Sequence, residues 1–592
     1  MYRPIFARRY PALARFRSTP TYSWNSQGSK KRFRRRKPEK NKYLPLPSPP
    51  ETYYSRKGHV HVSQNLKSSL REYLDAPWEA YPKARAMRRK WIVHAGPTNS
   101  GKTYNALQRL KTAKSGLFGG PLRLLAREVS DRFRAQGTRC NLITGEEISY
   151  DIDEHGSVAP LSSSTMEMVS LSTVADVAVL DEIQMIADPD RGFAWTQALL
   201  GLQAKEIHLC GETRTVPFLK SLAALVGDEI EVNYYERLSP LEMDKSPLLS
   251  LDNLRPGDCL VAFSRRSIFD WKARVEKETK FRCAIIYGAL PPEVRASQAA
   301  HFNDPKSGYD ILIASDAIGM GLNLSIDRVI FTTAEKYNGE SLDLIDPPHA
   351  RQIGGRAGRF KLGAPKAIPG LVTTFHAKHY DYIKQCMQTE PEPITRAGIM
   401  PGDQLFADLI SAFDATVPPS VVFDTIAKSP DSSASDMFYL CGISGMVDAA
   451  SCITGPSDVL TIEELVTCCQ APVPVGRDTR LVKLMDNFVR VVQKGEPVTP
   501  ISMKDLVISK IVDKTADSSE LLKDLEVLHM GLNSYLWISY RLPEIFTCRE
   551  EARHLAGLCQ AEMERLLETK RMSKSAKPKA KKKTADKSAV IS

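Results

Sequence analysis

No apolar run in the 592 residues approaches the about 18 needed for a helix to cross a bilayer, so a membrane span is not expected. The chain also lacks any C-x-x-C pair. Its 11 cysteines are odd in number and scattered, with Cys468–Cys469 the one close pair. That pattern argues against a zinc site and against a disulfide framework. It points to a reducing compartment in which thiols serve as core filler. Acidic residues are nearly missing from the two ends. Residues 1–42 hold 14 Lys/Arg against Glu39 alone, and residues 569–592 hold 9 against Asp586 alone. The tails therefore bring +13 and +8, and since the whole chain carries +12, the body between them carries −9. The basicity belongs to two arms low in hydrophobic content, and any nucleic-acid site in the body must be a local groove.

What is present begins with that N-terminal arm. "MYRPIFARRYPALARFRS" is Arg-rich and acid-free, which suits a mitochondrial transit peptide, although Pro4 and Pro11 interrupt the helix such a peptide prefers. "KKRFRRRK" at 30–37 reads equally as a nuclear signal or a nucleic-acid arm. "LPLPSPP" at 44–50 is a proline-rich linker. The expected order is transit peptide and linker over 1–50 and a short N-terminal segment over 51–85. A nucleotide-binding domain over 86–240, a second sheet domain over 241–395, a helical domain over 396–568 and a Lys-rich tail over 569–592 follow.

Between 86 and 235, short apolar runs alternate with longer helix-prone stretches. "RLLA" (123–126), "VAVL" (177–180) and "EIHLC" (206–210) read as buried parallel strands. The rhythm repeats from 255 to 375 in "CLVAF", "CAIIY", "ILIA", "RVIFTT" and "GLVTTF". The fold class is thus α/β, two tandem doubly wound parallel-sheet domains facing each other across a cleft. Past 400 helical spacing takes over, with Leu521, Leu525, Leu528, Leu532 and Leu536 forming one stripe. Leu555, Leu558, Leu566 and Leu567 continue it, all as bundle core.

The chemistry-bearing stretch is "GPTNSGKT", Gly96-Pro97-Thr98-Asn99-Ser100-Gly101-Lys102-Thr103, a G-x-x-x-x-G-K-[ST] phosphate-binding loop after the β-prone "WIV" and before the helix-prone "YNALQRL". Glycines let backbone N–H groups close on phosphate oxygens. Lys102 is placed to reach the β- and γ-phosphates, Thr103 to ligate Mg²⁺, and the helix starting near Thr103 to aim its N-terminus at the same anion. "VAVLDEIQM" puts Asp181 and Glu182 at the end of a buried strand, 79 residues after Lys102. One carboxylate there can hold Mg²⁺ and the next can deprotonate the attacking water. In "QIGGRAGRF", Arg356 and Arg359 stand three apart, so on a helix they would share a face and act as arginine fingers on a γ-phosphate held by the other domain.

These motifs, with "PLRLLARE", "TGEE", "SSTMEM", "LCGE", "AFSRRSI", "YGALPPEVR", "ILIASDAIGMGLNL" and "LEVLHMGLNSYLWISYRLPEIF", resemble superfamily 2 helicases over roughly 88–565. The match is to the DExH-type mitochondrial degradosome RNA helicase family. It departs from the DExH name in one place, Gln184. The resemblance implies two RecA-like domains and a helical domain closing a ring around the strand, with ATP and Mg²⁺ as cofactors. It implies that Gly321 and Asn323 lie by the nucleotide and that Gln352 places the attacking water. It also implies that Arg127, Thr144, Thr165, Ser264 and Ser315 line an RNA track. Each hydroxyl taken alone reads equally well as a local cap. The implied activity is 3′-to-5′ unwinding of structured RNA on a single-stranded track in the mitochondrial matrix, feeding a 3′–5′ exoribonuclease partner. Two other readings stay open: a DNA or RNA–DNA helicase of the same fold, and a non-processive ATP-gated RNA remodeller.

Overall fold

Short β-branched and apolar runs, punctuated by longer amphipathic stretches, build two twisted sheets and a helical region. The computed structural model describes residues 64–568 apart from Met320, 338–340, 359–368, 414–416, 430–434, 454–459 and 513–517. The expected transit peptide, both basic arms, the proline-rich linker and Arg359 lie outside the described residues.

The first sheet is built from β1 (Lys90–Ala95), β2 (Gly116–Gly120), β3 (Cys140–Ile143), β4 (Ile148–Ser149), β5 (Leu161–Thr165), β6 (Val174–Leu180), β7 (Gln203–Gly211) and β8 (Glu229–Tyr234). Their spatial order is β4-β3-β5-β2-β6-β7-β1-β8. All neighbours are parallel except β3 and β4, which pair Leu142 with Ser149. The second sheet uses β9 (Leu241–Met243), β10 (Asp258–Val261), β11 (Cys283–Ile286), β12 (Ile311–Ala314), β13 (Arg328–Phe331) and, beyond a small hairpin of β14 (Glu335–Tyr337) and β15 (Leu342–Leu344), β16 (Gly370–Thr374). It is wholly parallel, in the order β11-β12-β10-β13-β16-β9. Apolar strands buried on both faces are what a parallel sheet covered by helices requires.

One expected strand is a helix. "RLLA" opens Arg123–Ala135, whose buried residues Ala126, Val129, Ser130 and Phe133 recur at helical spacing. The strand before it is the fully buried "GLFGG" of β2. Its glycines, poor strand formers, are there for close approach. A Cβ on Gly116 would stand 2.6 Å from the carbonyl oxygen of Val177 on neighbouring β6.

Among the described residues, the regular elements after 396 are helices apart from one small parallel pair, β17 (Ala397–Ile399) and β18 (Phe438–Leu440). Its longest helix, Ser518–Ser539, buries all five leucines of the expected stripe, each worth about 1.5–3 kcal/mol. In Arg549–Glu568, Leu555, Leu566 and Leu567 are buried, but Leu558 is 41% exposed. It falls to one side of the stripe made by Ala552, Leu555, Ala556, Cys559 and Met563. The helical region touches both sheet domains. Thr196 Oγ1 donates to the Gly398 carbonyl at 2.6 Å, and Arg265 Nε meets Glu526 Oε1 at 3.1 Å. Among the described residues no helix is long and apolar enough to cross a membrane.

Candidate nucleotide and nucleic-acid site

The phosphate-loop strand β1 is anchored by Trp91 and Val93, both fully buried, and ends at Ala95. The chain then turns sharply. Asn99 (φ 57°) and Gly101 (φ 81°) are left-handed, which curls the loop so that its amides converge. Gly96 is forced by space, since a Cβ there would meet the Tyr235 carbonyl oxygen at 2.6 Å. The helix begins at Lys102, one residue earlier than expected. Lys102 Nζ bonds the Pro97 carbonyl at 3.0 Å. The buried Ser100 hydroxyl has no partner among the described residues.

Thr103 Oγ1 donates to Asp181 Oδ1 at 2.9 Å, which joins the loop to the acidic pair after β6. Asp181 is fixed from three sides, since its N–H donates to Gly119 and its carbonyl accepts the Trp195 indole N–H at 2.9 Å. Burial first, and the Glu182 charge second, push the Asp181 carboxyl well above the usual carboxylate range. A carboxylate held in that state calls for a cation. The hydroxyl–carboxylate pair, the unpartnered Ser100 and the converging amides therefore fit a Mg²⁺–nucleoside triphosphate. Glu182 is left-handed (φ 52°), a strained conformation directly after the strand. Gln184 holds it there, donating its amide to Glu182 while its oxygen accepts from the Glu212 N–H at 3.3 Å. The Gln184 position, left without a role by sequence reasoning, thus ties the acid to the end of β7.

The second sheet domain faces this cluster. The helix Pro347–Gly354 carries Gln352 and stops before Arg356, which stands in the following turn. Gly355 lets this turn come close to the first sheet domain, since a Cβ there would stand 2.5 Å from Thr98 Oγ1, and Gly354 packs closely on Met387 of its own domain. Arg356 donates to the Gly319 carbonyl, with Nε at 3.0 Å, and the charges of Glu182 and Asp181 act on it across the cleft. Gln352 lies against the same loop, with its Cδ 3.6 Å from where a Gly319 Cβ would stand. Gly321 (φ 69°) touches Leu122 of the first domain so closely that a Cβ would stand 2.2 Å from it. Asn323 is exposed, and its carbonyl accepts from Asn303 at 2.6 Å. Thr98 Oγ1 crosses the cleft to the Gly355 carbonyl at 2.9 Å.

The expected track residues divide. Arg127 and Thr144 line one narrow cleft between the sheet domains, with Arg123 and Glu147 beside them and Glu293 opposite. Arg127 is ion-paired to Glu147. Thr144 exchanges hydrogen bonds of 3.1 Å with the Glu147 backbone. Ser264 caps its helix by accepting from Ser267 at 3.1 Å, and Ser315 accepts from Ala317 at 3.0 Å. Thr165 is buried at the end of β5. Sequence reasoning missed Arg237, a single arginine in the crossover between the sheets. It donates to Thr98, Gly355 and Ala357, and burial, then the Arg356 charge, pull it down to about 10.

Known families place this architecture. Residues 77–235 match the DEXQ-box helicase domain of Suv3, whose name carries the glutamine found at 184. Residues 245–361 match the helicase conserved C-terminal domain, and 522–569 the C-terminal domain of the ATP-dependent RNA helicase SUV3. The chain is 42% identical over 489 residues to the mitochondrial ATP-dependent RNA helicase SUV3 of Saccharomyces cerevisiae, covering 82% of this chain and 65% of that protein. It is 42% identical over 488 residues to the mitochondrial DExH-box ATP-dependent RNA helicase DExH18 of Arabidopsis thaliana, covering 82% of this chain and 60% of that one. It is 38% identical over 510 residues to DExH16 of the same plant, covering 85% of both. With matches across both sheet domains and the helical region, the chain belongs to the SUV3 family of helicases.

Proposed function

We infer that this chain is an ATP-dependent RNA helicase of the mitochondrial matrix, moving 3′ to 5′ on single strands and handing unwound RNA to a 3′–5′ exoribonuclease. The observation that carries the reading is the bipartite nucleotide site. Thr103, Asp181 and Glu182 stand on one sheet domain, and Arg356 faces them from the other. The relatives' names supply RNA and mitochondrion, and the basic N-terminal arm agrees with the second.

Lys102, the loop amides, Thr103 and Asp181 would hold Mg²⁺–ATP, and the ion would supply charge neutralisation between the phosphates. Glu182, oriented by Gln184, takes the proton from the attacking water. Gln352, beside the Gly319 loop, orients that water, and Arg356 meets charge developing on the transferred phosphoryl group when the domains are closed. Release of Arg356 and the Gly321–Leu122 contact after hydrolysis would let the domains part and shift their grip on a strand at Arg127 and Thr144. Strand displacement tests this. RNA duplexes with a 3′ single-stranded overhang should be unwound with ATP, and those with a 5′ overhang should not. Preferential unwinding of DNA duplexes would favour a DNA helicase, and ATP-dependent RNA release without strand separation would favour a remodeller.

A further inference from the structure

The narrow cleft at Arg127 and Thr144 does not end at Glu147. On the far side of that residue lies a larger open cleft of about 550 Å³, within the size range of small-molecule sites, that has Glu147 as a shared wall. One side is the first sheet domain around Tyr150, which is 43% exposed. The other is the junction of the last two helices, with Tyr540, Arg549 and Arg553. The junction is pre-set. Arg549 lies over the Tyr540 ring with Cζ 3.9 Å from its centroid, held by donation to the Ser539 carbonyl at 2.6 Å. Arg553 donates to the Tyr540 hydroxyl at 3.0 Å. The turn between the two clefts is also braced from the helical side, because a Cβ on Gly145 would stand 3.2 Å from the Trp537 ring.

Two tyrosines on opposite walls, one backed by a stacked guanidinium, present flat π-faces with little rotamer freedom to lose. Such faces accept any base and read none. Most of the charge is already matched, Arg553 with Glu550 and Arg127 with Glu147, and Arg549 is spent on the Ser539 carbonyl and the Tyr540 ring, so a phosphate entering here gains little new pairing. Binding in this cleft is therefore governed by stacking more than by counterion release. We propose that the cleft between Tyr150 and Tyr540 is a base-stacking extension of the single-strand track, taking unpaired RNA bases beyond those held at Arg127 and Thr144. This rests on the RNA-helicase reading above.

The test is equilibrium binding of 5′-labelled oligouridylates of about 6 and about 14 nucleotides, the span of single-strand site sizes, to the full chain. Tyr150→Ala, Tyr540→Ala and Tyr540→Phe are compared with the wild type. The wild type should bind the longer oligomer more tightly. Tyr150→Ala and Tyr540→Ala should lose about tenfold on the longer oligomer, the scale of one lost stack, and little on the shorter. Tyr540→Phe, which keeps the ring and drops the hydroxyl, should stay near wild type. Turnover stimulated by the short oligomer should be unchanged in all three. An undiminished length advantage in both alanine variants overturns the proposal. So does an equal loss at both lengths with a lowered melting temperature, which marks a structural role. A wild type that binds neither oligomer overturns the RNA-helicase reading itself.

Discussion

Arg237 Nη1 stands 2.8 Å from the carbonyl oxygen of Gly355. The same nitrogen lies 3.1 Å from the Thr98 hydroxyl, so one guanidinium in the interdomain crossover stitches the phosphate loop to the turn that carries Arg356. Arg237→Ala leaves the buried Gly355 and Ala357 carbonyls without their charged donor, a loss of about 1.5–3 kcal/mol. Turnover should fall by roughly tenfold to a hundredfold while nucleotide affinity, set by the loop on the first domain, changes little. Steady-state hydrolysis beside a nucleotide-binding titration would show it. Equal loss of affinity and turnover would make Arg237 a ligand of the nucleotide instead of a stitch.

Glu182→Gln preserves shape and the Gln184 contact but removes the base. ATP and RNA should still bind, with turnover down by at least about 100-fold. Near-normal hydrolysis in a pure preparation would take Glu182 out of that role.

Arg356→Ala should lower turnover by about 1,000-fold or more and abolish RNA stimulation, because closure no longer completes the site. Arg356→Lys should rescue poorly, since a point charge cannot reproduce the planar fork that grips the Gly319 carbonyl. Retained RNA-stimulated hydrolysis in Arg356→Ala would refute the two-domain nucleotide site.

Base selectivity should be weak. No glutamine lies between Asn65 and Ala95, ahead of the phosphate loop, to read an adenine edge. GTP and CTP should be hydrolysed within roughly tenfold of ATP, less than about 1.4 kcal/mol of discrimination. A far stronger preference for ATP would mean that another group reads the base.

How much of this was legible in the sequence follows from what each feature depends on. The phosphate loop and the acidic pair are local. Residue type, spacing and a preceding apolar strand specify them, and Thr103 and Asp181 do meet. β2 was hidden because its glycines answer to contacts with Val177 and Val169, which only the assembled sheet reveals, while the helix after it begins with a leucine pair that reads as a strand. Arg356 stands off the helix because glycines at 354 and 355 end it. Arg237 and the Tyr150–Tyr540 cleft act on partners far away in the chain, and the hold of Gln184 on Glu182 depends on its second contact, to Glu212 at the end of β7, so no local pattern marks them.

The last prediction concerns acid. His529 is buried in the longest helix, where three parts of the fold converge. Its Nε2 lies 3.0 Å from the Gln560 amide nitrogen, which also donates to Glu293 of the second sheet domain at 2.9 Å. With the amide fixed as a donor by that carboxylate, Nε2 must be the acceptor and the proton sits on Nδ1, which the Asn533 side chain beside it can accept only through its amide oxygen. A second proton on Nε2 would turn the Gln560 contact into donor against donor. Burial, and then the Arg123 charge from the first domain, accordingly hold the imidazole down to about 3. The unfolded chain takes up this proton near pH 6.5 and the folded chain does not. The stabilisation is therefore complete above pH 6.5 and is lost as pH falls below it, by about 2 kcal/mol at pH 5. His529→Gln, which can accept from Gln560 but cannot titrate, should show a smaller fall in melting temperature between pH 6.5 and 5 than the wild type. His94, held down to about 4, titrates in both proteins and cancels in the difference. Parallel melting curves for the two proteins across that range would show that the His529–Gln560–Glu293 chain does not carry this acid sensitivity.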